Sequence, residues 1–347
     1  MARERIISPE QQPTDEATPA LSLRPQRLEE YVGQPDLRER LDIALEAAKG
    51  RGQPMEHVLL YGPPGLGKTT LAHVIANELG TRAWVTSGPA LTRGSDLVGT
   101  LTRMEVGDVL FIDEIHRLPP SVEEYIYPAM EDFKIDFTLD SGTHARVVTY
   151  ALKPFTLIGA TTRAGLLTAA LRSRFGIVHN IRFYDQDELA TILRAAAERL
   201  GMTVGDGPLA TIASRSRGTP RVALRLLRRV RDFADVRRDG VVDQKTVSEA
   251  LTLEGIDEAG LDPLDRSYLA TLIGTYDGGP VGVEAIAATL GEDQGTLQDV
   301  VEPYLLQAGY VARTRQGRQV TAEGRLRAVE RGIERKPGSQ MDFESLS

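Results

Sequence analysis

Residues 62–69 read Gly-Pro-Pro-Gly-Leu-Gly-Lys-Thr. This stretch follows an apolar segment at residues 57–61, which predicts a buried strand, and precedes a helical pattern at residues 69–79. The glycines let backbone N–H groups turn towards phosphate oxygens, Lys68 adds a positive charge, and the Thr69 hydroxyl can ligate Mg²⁺. The helix directs the positive end of its dipole at the same anion. A Gly-Pro turn that matches by chance is the alternative, but the flanking strand and helix favour a nucleoside-triphosphate site.

A second apolar strand, at residues 109–112, leads directly into Asp113 and Glu114. Open α/β sheets bind their ligands at the carboxyl ends of the strands, where the phosphate loop also lies. We therefore predict that Asp113 holds Mg²⁺ and that Glu114 polarises the attacking water. Without the phosphate loop, the same pair would also fit a strand that ends in solvent.

Two further polar segments are candidates for the same site. Residues 157–163 read Leu-Ile-Gly-Ala-Thr-Thr-Arg, so Thr162 could position the water, although a strand-end threonine with a satisfied hydroxyl is the alternative. Residues 171–175 place Arg172 and Arg174 near a helix end. An arginine there could stabilise charge on the transferred phosphoryl group, often in a neighbouring subunit's site, or simply be exposed.

Strands and helices alternate over the first half of the chain. Besides the strands above, apolar runs occur at residues 82–86 and 177–183, and helical patterns occur at residues 35–48 and 121–130. This alternation predicts a parallel sheet with helices on both faces, which is the α/β class.

The segment after residue 183 lacks a convincing strand and predicts a small helical domain, with helices at 186–200, 208–217, 220–236 and 243–251. In its third helix we expect an apolar core face and interpret the neighbouring arginines as a solvated or subunit-facing surface. The predicted core residues are Leu224, Leu227, Val230 and Ala234.

A third region begins near residue 262. It contains three helical patterns, at 264–275, 283–290 and 296–308, followed by two short strands around Gly317. Three helices and a β-hairpin predict a winged-helix domain, and a generic helical cap is the alternative.

Composition restricts the kinds of protein that this chain can be. Its 347 residues suffice for two or three domains. A helix that spans a bilayer needs about 18 consecutive apolar residues, and no apolar run approaches that length. The first residues lack a secretory signal, so we expect a cytoplasmic protein without a membrane anchor. The absence of cysteine excludes disulfides and thiolate metal sites.

The charge distribution is uneven. The net charge of −8 argues against binding nucleic acid through overall positive charge. Residues 310–336, however, contain eight basic and three acidic residues, a local net charge of +5. This basic end predicts contact with nucleic acid in the third region.

Six strings in the sequence closely resemble the RuvB family, the AAA+ motors of bacterial Holliday-junction branch migration. They are Leu-Arg-Pro-Gln-Arg-Leu-Glu-Glu-Tyr-Val-Gly-Gln, Gly-Pro-Pro-Gly-Leu-Gly-Lys-Thr-Thr, Phe-Ile-Asp-Glu-Ile-His, Gly-Ala-Thr-Thr-Arg, Arg-Ser-Arg-Phe-Gly and Gly-Thr-Pro-Arg. The resemblance covers roughly residues 20–335. It implies a large AAA+ ATPase domain (22–184), a helical lid (185–257) and a winged-helix DNA-binding head (258–335). The terminal segments have no hydrophobic period, so we expect a flexible arm (1–21) and a flexible tail (336–347).

The resemblance also implies roles for individual residues in binding and hydrolysing ATP with Mg²⁺. It assigns the adenine pocket to Leu23, Arg24 and Tyr184, the phosphates and Mg²⁺ to Gly65, Gly67, Lys68, Thr69 and Thr70, and the two sensors to Thr162 and Arg221. It selects Arg174 as the arginine finger of the neighbouring site and places Glu131, Asp132 and Phe133 against the neighbour's nucleotide.

The partners of the family are implied in the same way. The segment 134–150, with alternating residues around Gly142, resembles the hairpin that docks on RuvA; a hairpin that only extends the sheet is an equal alternative. The resemblance further implies a homo-hexamer, double-stranded DNA at four-way junctions, and the RuvC resolvase in the same complex.

The sequence departs from the family pattern in the third region. Gln294 stands where a basic residue is usual, and Arg315 and Gln316 replace a usual Pro-Arg pair in the wing. Arg313 and Arg318 are therefore the predicted contacts to DNA phosphates.

These observations predict an ATP-driven DNA translocase. A clamp-loader-like or initiator-like switch, which binds DNA under nucleotide control, is the alternative, because such proteins share the same core. A protein unfoldase would need an aromatic-apolar-Gly pore loop, and residues 88–108 contain none.

Overall fold

The structure is a computed structural model that describes residues 23–138 and 147–330. These residues form two compact units: the first comprises residues 23–201 with Thr219–Arg221, and the second comprises residues 202–218 and 222–330. The predicted arm (1–21), the predicted tail (336–347) and the Gly142 turn lie outside the described residues.

The first unit contains the predicted alternation of strands and helices. In chain order, its described elements are α1 (Pro35–Arg51), β1 (Val58–Tyr61), α2 (Lys68–Leu79), β2 (Ala83–Ser87), α3 (Gly94–Leu101), β3 (Val109–Asp113), α4 (Pro120–Glu131), β4 (Lys134–Thr138), β5 (Val147–Ala151), β6 (Thr156–Thr161), α5 (Ala169–Arg172), β7 (Ile177–Asn180) and α6 (Gln186–Arg199).

Five strands form one parallel sheet in the order β2-β3-β6-β1-β7. The predicted parallel α/β sheet is thus confirmed. The predicted strand at 177–183 is too long, because the backbone of Arg182 hydrogen-bonds the Gln34 side chain instead of another strand. The N–H of Arg182 donates to Gln34 Oε1 at 3.1 Å, and Gln34 Nε2 donates to the Arg182 carbonyl at 2.8 Å.

Strands β4 and β5 form a separate antiparallel sheet, in which Lys134 pairs with Ala151. The alternative in which this hairpin extends the main sheet is therefore wrong.

The centre of the main sheet is buried on both faces. All six residues of β6 are buried, and Leu59, Phe111 and Ile158 have no exposed surface. Strands covered on both sides favour continuous apolar runs, which is why these segments could be recognised in the sequence. Because β3, β6 and β1 are neighbours, their carboxyl ends lie side by side.

The second unit is helical apart from one hairpin. Its described elements are α7 (Asp206–Ser214), α8 (Pro220–Arg237, whose first two residues belong to the first unit), α9 (Gln244–Leu253), α10 (Pro263–Gly274), α11 (Val283–Leu290), α12 (Gln294–Thr296), a π-helical segment (Leu297–Val301), α13 (Glu302–Gln307), β8 (Val311–Thr314), β9 (Gly317–Val320) and α14 (Ala322–Glu330).

The winged-helix prediction is confirmed, with two differences in its helices. The predicted helix at 296–308 is interrupted by the π-helical segment. Pro303 has no N–H to donate one turn back, and the adjacent turn widens. Helix α14 was not predicted, and it contains Gly324, a residue type with low helix propensity. A Cβ at this position would lie 2.1 Å from the Tyr310 carbonyl oxygen. Tertiary packing, rather than helix propensity, selects that residue.

The core face predicted for α8 is largely right. Leu227, Val230 and Ala234 are buried, whereas Leu224 is only half-buried and Leu226 takes the central position. Within the part of the chain that the structure describes, no helix combines the length and the apolar character needed to cross a membrane.

Candidate nucleotide-binding site

The phosphate loop connects β1 to the first residue of α2, Lys68. Gly65 and Gly67 have φ angles of +82° and +90°, in the left-handed region that favours glycine. A Cβ on Gly65 would lie 3.1 Å from the Cβ of Arg221, and a Cβ on Gly67 would lie 3.4 Å from the Tyr31 hydroxyl. The left-handed backbone conformation therefore favours glycine at both positions, and at Gly65 the close approach of Arg221 adds to this preference.

Lys68 is buried inside this loop. Its Nζ donates to the carbonyl oxygens of Gly62 and Pro63 at 2.8 and 2.7 Å. Burial lowers the Lys68 pKa to about 8; the charge of Asp113 opposes this shift, and that of Arg221 adds to it. A bound triphosphate would supply the negative charge that the protein provides only in part.

The loop is surrounded by further cations. Burial, followed by the charge of Arg221, lowers the Arg24 pKa, and burial together with Arg24 lowers the His73 pKa. The Arg221 N–H donates to the Gly65 carbonyl at 3.3 Å. Arg221 repels both Arg24 and Lys68, which makes this region suited to a polyanion.

The neighbouring strand ends bring the predicted catalytic residues to the same edge of the sheet. Asp113 ends β3, and its Oδ1 accepts the Glu114 N–H at 2.9 Å. Glu114 adopts a left-handed φ of +47°, and its Oε2 lies 2.8 Å from Arg117 Nη1. A bulky residue in this conformation is a feature often found at active sites.

The paired threonines at the end of β6 differ in their environments. Thr161 is fully buried; its hydroxyl lies 2.8 Å from His116 Nδ1 and accepts the Arg163 N–H at 2.9 Å. Thr161 is thus the satisfied strand-end threonine, whereas Thr162 is half-buried just beyond the strand. The contact between His116 and Thr161 was not predicted, because it joins residues 45 positions apart in the chain.

The donor groups fit Mg²⁺ carried by a nucleotide. Thr69 and Asp113 offer a hydroxyl and a carboxylate, both hard oxygen ligands. The described residues contain no cluster of three or more His, Cys, Asp or Glu that could hold a metal. Mg²⁺ is commonly bound by one or two protein oxygens plus phosphates and water, so a protein cage is not required.

The residues assigned to the adenine pocket are held together by tertiary contacts. Leu23 and Tyr184 are buried, and the Tyr184 hydroxyl lies 3.1 Å from the Tyr31 hydroxyl and 3.3 Å from the Leu66 carbonyl oxygen. Arg199 donates to the carbonyl oxygens of Leu23 and Arg24, each at 3.1 Å. Tyr31 and Arg199 were missed because nothing in the local sequence indicates these distant partners.

A second cluster surrounds Arg174. Its Nη2 lies 3.1 Å from Glu131 Oε1, its Nη1 donates to the Ala170 carbonyl at 2.6 Å, and its guanidinium lies 4.4 Å from the centre of the Tyr127 ring. Arg172 is exposed instead. The structure thus brings Arg174 together with Glu131, and Tyr127 is a neighbour that the sequence did not reveal.

Asp132 and Phe133 follow directly after α4. Asp132 is exposed, while the Phe133 ring packs edge-on against Phe155, with centroids 5.8 Å apart, and against His57 at 6.4 Å. Phe133 is therefore half-buried and packed against aromatic side chains, beside exposed Glu131 and Asp132.

The two predicted wing arginines share one buried carboxylate in the second unit. Glu302 has no exposed surface; Arg313 Nε and Arg318 Nε donate to it at 3.0 and 2.9 Å, and the Tyr268 hydroxyl donates at 3.0 Å. The Arg313 side chain is 49% exposed and that of Arg318 only 17%. Arg315 is exposed at the wing turn, and Gln294 is half-buried.

The phosphate loop with its acidic strand end, the helical segment after the sheet and the winged-helix region define a class of protein: a P-loop ATPase of the AAA+ type with a winged-helix domain. Three family models match in chain order. They are the Holliday junction DNA helicase RuvB P-loop domain at residues 23–181, the RuvB AAA lid domain at 184–257 and the RuvB C-terminal winged-helix domain at 258–326. The chain belongs to the RuvB family.

Individual relatives agree with this assignment. The Holliday junction branch migration complex subunit RuvB of Desulfosudis oleivorans is 56% identical over 300 residues, which cover 86% of this chain and 88% of the relative. The Thermotoga maritima RuvB Holliday junction branch migration motor is 49% identical with a TM-score of 0.81, covering 90% of this chain and 99% of that one. A mutant of the Thermotoga maritima protein, also solved, has 50% identity and a TM-score of 0.82, covering 88% and 98%.

Proposed function

We propose that this chain is an ATP-driven motor that moves Holliday junctions by pulling duplex DNA, as a ring of six protomers with hydrolysis sites shared between neighbours. The observation that carries the proposal is the adjacency of β1, β6 and β3, which present the phosphate loop, Thr162 and the Asp113–Glu114 pair at one edge. The names of the relatives and the basic wing support DNA as the substrate that the motor moves.

ATP would bind with its phosphates against the loop and its adenine near Leu23, Arg24 and Tyr184. Backbone N–H groups of the loop and Lys68 would hold the phosphates, with Arg221 approaching from the helical segment. Thr70 would add a hydroxyl beside that of Thr69.

Thr69 and Asp113 would hold Mg²⁺, which neutralises developing charge on the phosphate oxygens when it is bound. Glu114 would orient and polarise the attacking water, with Thr162 as a second hydrogen-bonding group. The ion pair between Glu114 and Arg117 would have to loosen for that role.

Arg174 would complete the site of the adjacent protomer. Its guanidinium is engaged by Glu131, Ala170 and Tyr127 of its own chain rather than by its own phosphate loop. We place Glu131, Asp132 and Phe133 at the same subunit boundary, because Glu131 pairs with Arg174 and the other two follow it directly.

Two surfaces are proposed for partners. Arg313 and Arg318 would contact backbone phosphates, which suits a motor that must act on any sequence. Val148 and Tyr150, on one face of β5, are 44% and 45% exposed and give the hairpin an apolar surface on which RuvA could dock. A shared complex with RuvC and a cytoplasmic location complete the proposal.

The test combines turnover with movement. Arg174→Ala and Lys68→Ala should each abolish ATP hydrolysis, and a mixture of the two should regain part of it, because some sites then receive an intact lysine and an intact arginine. Arg172→Ala is the matched control and should stay active. No recovery at any mixing ratio would argue against shared sites.

Junction movement separates the motor from a switch. With RuvA and a synthetic four-way junction, the wild-type protein should exchange strands only while ATP is hydrolysed. Hydrolysis without strand exchange would instead favour a loader-like or initiator-like protein.

A further inference from the structure

Arg217 lies in the turn between α7 and α8 and has an unusual environment. Its φ of +54° is left-handed, a conformation that side-chain-bearing residues rarely adopt, and only 7% of the residue is exposed. A buried guanidinium in a strained backbone persists only when surrounding contacts hold it there.

The charged contacts of Arg217 lie at the start of α10, the first helix of the winged-helix region. Arg217 Nε donates to the Gly260 carbonyl at 2.8 Å, and Nη2 lies 2.7 Å from Asp262 Oδ2 and 2.6 Å from Asp265 Oδ2. The guanidinium also lies 5.6 Å from the centre of the Tyr304 ring. Arg217 is therefore held at the start of α10 by the two carboxylates, and Gly260 before this helix and Tyr304 of α13 anchor it further.

The two carboxylates are themselves fixed in the helix. Asp262 is the N-cap residue of α10 and accepts the N–H groups of Leu264 and Asp265, while Asp265 accepts the Asp262 N–H. Burial raises the Asp265 pKa to about 7, against the opposing charge of Arg217. The arginine thus supplies the positive charge that favours an ionised Asp265 at this helix start.

The same turn leads directly into the nucleotide site. Arg221, four residues after Arg217, donates its backbone N–H to the Gly65 carbonyl oxygen in the phosphate loop. The chain changes unit within these residues: Arg217 and Gly218 belong to the second unit, and Thr219–Arg221 belong to the first. Four residues span at most about 14 Å, so this short segment limits how far the two anchors can move apart.

We propose that Arg217 is the positioning residue that transmits nucleotide-dependent movement of Arg221 to the winged-helix region, an inference that rests on the proposed motor function. When Arg221 shifts with the phosphates, the short segment pulls on Arg217. Because Arg217 is clamped to Asp262 and Asp265, α10 follows, and the wing follows α10. Arg217 does not touch the nucleotide in this mechanism.

The test is the number of base pairs moved per ATP hydrolysed, measured on a four-way junction with RuvA. Arg217→Met should lower this ratio at least about fivefold, the lower end of usual coupling energies, while ATP turnover without DNA changes less than about twofold. Arg217→Lys, which keeps the charge but loses the planar fork, should retain an intermediate ratio.

Two further variants separate coupling from simple stabilisation. Arg266→Met is the matched control: Arg266 lies in α10 and donates to the Gly255 and Leu261 carbonyl oxygens, so its loss should destabilise the region without lowering the ratio. Adding Asp265→Asn to Arg217→Met removes a buried unpaired charge and should recover stability but not coupling.

A normal number of base pairs moved per ATP in Arg217→Met would overturn the proposal. An equal loss of this ratio in Arg266→Met would also overturn it. So would a double variant in which the ratio recovers together with stability. The wild-type protein, measured in parallel, tests the motor function separately. If it failed to move junctions at all, the proposed function would be at fault rather than the role of Arg217.

Discussion

The phosphate loop and the wing both present cations that the sequence predicted as phosphate contacts, but the fold treats these cations differently. Lys68 is buried among carbonyl oxygens, with its pKa lowered to about 8 and further arginines nearby. Arg313 and Arg318 are instead paired with buried Glu302. At the loop, most of the negative charge that balances the cations must come from a ligand. In the wing, Glu302 of the protein itself provides balancing negative charge. A basic residue in the sequence therefore predicts a charge, and the tertiary partner decides how much of it is available to a ligand.

The largest expected effect concerns the cation that depends on its ligand. Lys68→Met should lower DNA-stimulated ATP turnover by about 1,000-fold, because the transition-state phosphates lose a buried positive charge. Phosphate release under saturating ATP measures this loss. Lys153→Met, which removes an exposed lysine paired with Glu105, is the control and should keep near-normal turnover. Substantial ATP turnover in Lys68→Met would show that the phosphates do not depend on the charge of Lys68.

The wing should respond in stability rather than in chemistry. Glu302→Gln leaves two arginines without their buried carboxylate and should destabilise the second unit by about 3 kcal/mol. The single tryptophan, Trp84, lies in the first unit, so its fluorescence midpoint in denaturant should stay fixed while the circular-dichroism transition moves to lower denaturant.

Glu131→Gln is the matched control for Glu302→Gln. Glu131 also pairs with an arginine, but its side chain is 56% exposed, so we expect a loss below about 1 kcal/mol. Equal losses in the two variants would show that burial of the carboxylate is not what distinguishes the wing.

The third prediction uses pH. In the free protein, burial lowers the Lys68 pKa to about 8, so Lys68 loses its charge as pH rises through that value. Bound phosphates interact more favourably with the charged lysine, so ATP binding raises this pKa. ATP affinity should therefore fall about tenfold between pH 7 and pH 9, with proton uptake on binding. Calorimetry in two buffers with different ionisation enthalpies measures both quantities.

Lys68→Arg provides the control for this titration. A guanidinium stays charged across this range, so the variant should lose the pH dependence even if it binds ATP more weakly. DNA binding by the wing should also be independent of pH between 7 and 9, because its cations are arginines. A pH dependence that persists in Lys68→Arg would assign the titration to another group.

The smallest expected effect separates the two wing arginines. Arg313→Gln should lower the slope of log affinity against log salt by about 1, evenly across DNA sequences, because one phosphate contact is lost. Arg318→Gln should lower it less, because that side chain is only 17% exposed and is held by Glu302. Equal changes in slope would show that the carboxylate does not withdraw Arg318 from DNA.

Sequence patterns were informative where the physical cause is local. Glycines in the phosphate loop, the acidic pair after an apolar strand and the alternation of strands with helices each depend on neighbours a few residues away. The same holds for the wing hairpin around Gly317. Element ends were less accurate, as with the strand predicted to reach residue 183, because a side chain from a distant segment ended it.

Only the tertiary structure decided which distant groups meet. Strand order put β6 between β3 and β1 and thereby brought the catalytic candidates together. Tyr31 beside Tyr184, Glu302 beneath the wing and Arg217 against α10 join residues far apart in the chain. The sequence by itself determined the kind of fold and the presence of a triphosphate loop, since backbone geometry and burial follow short-range patterns. Partnership among charged side chains did not follow from it, because these pairs form only when folding brings distant segments of the chain together.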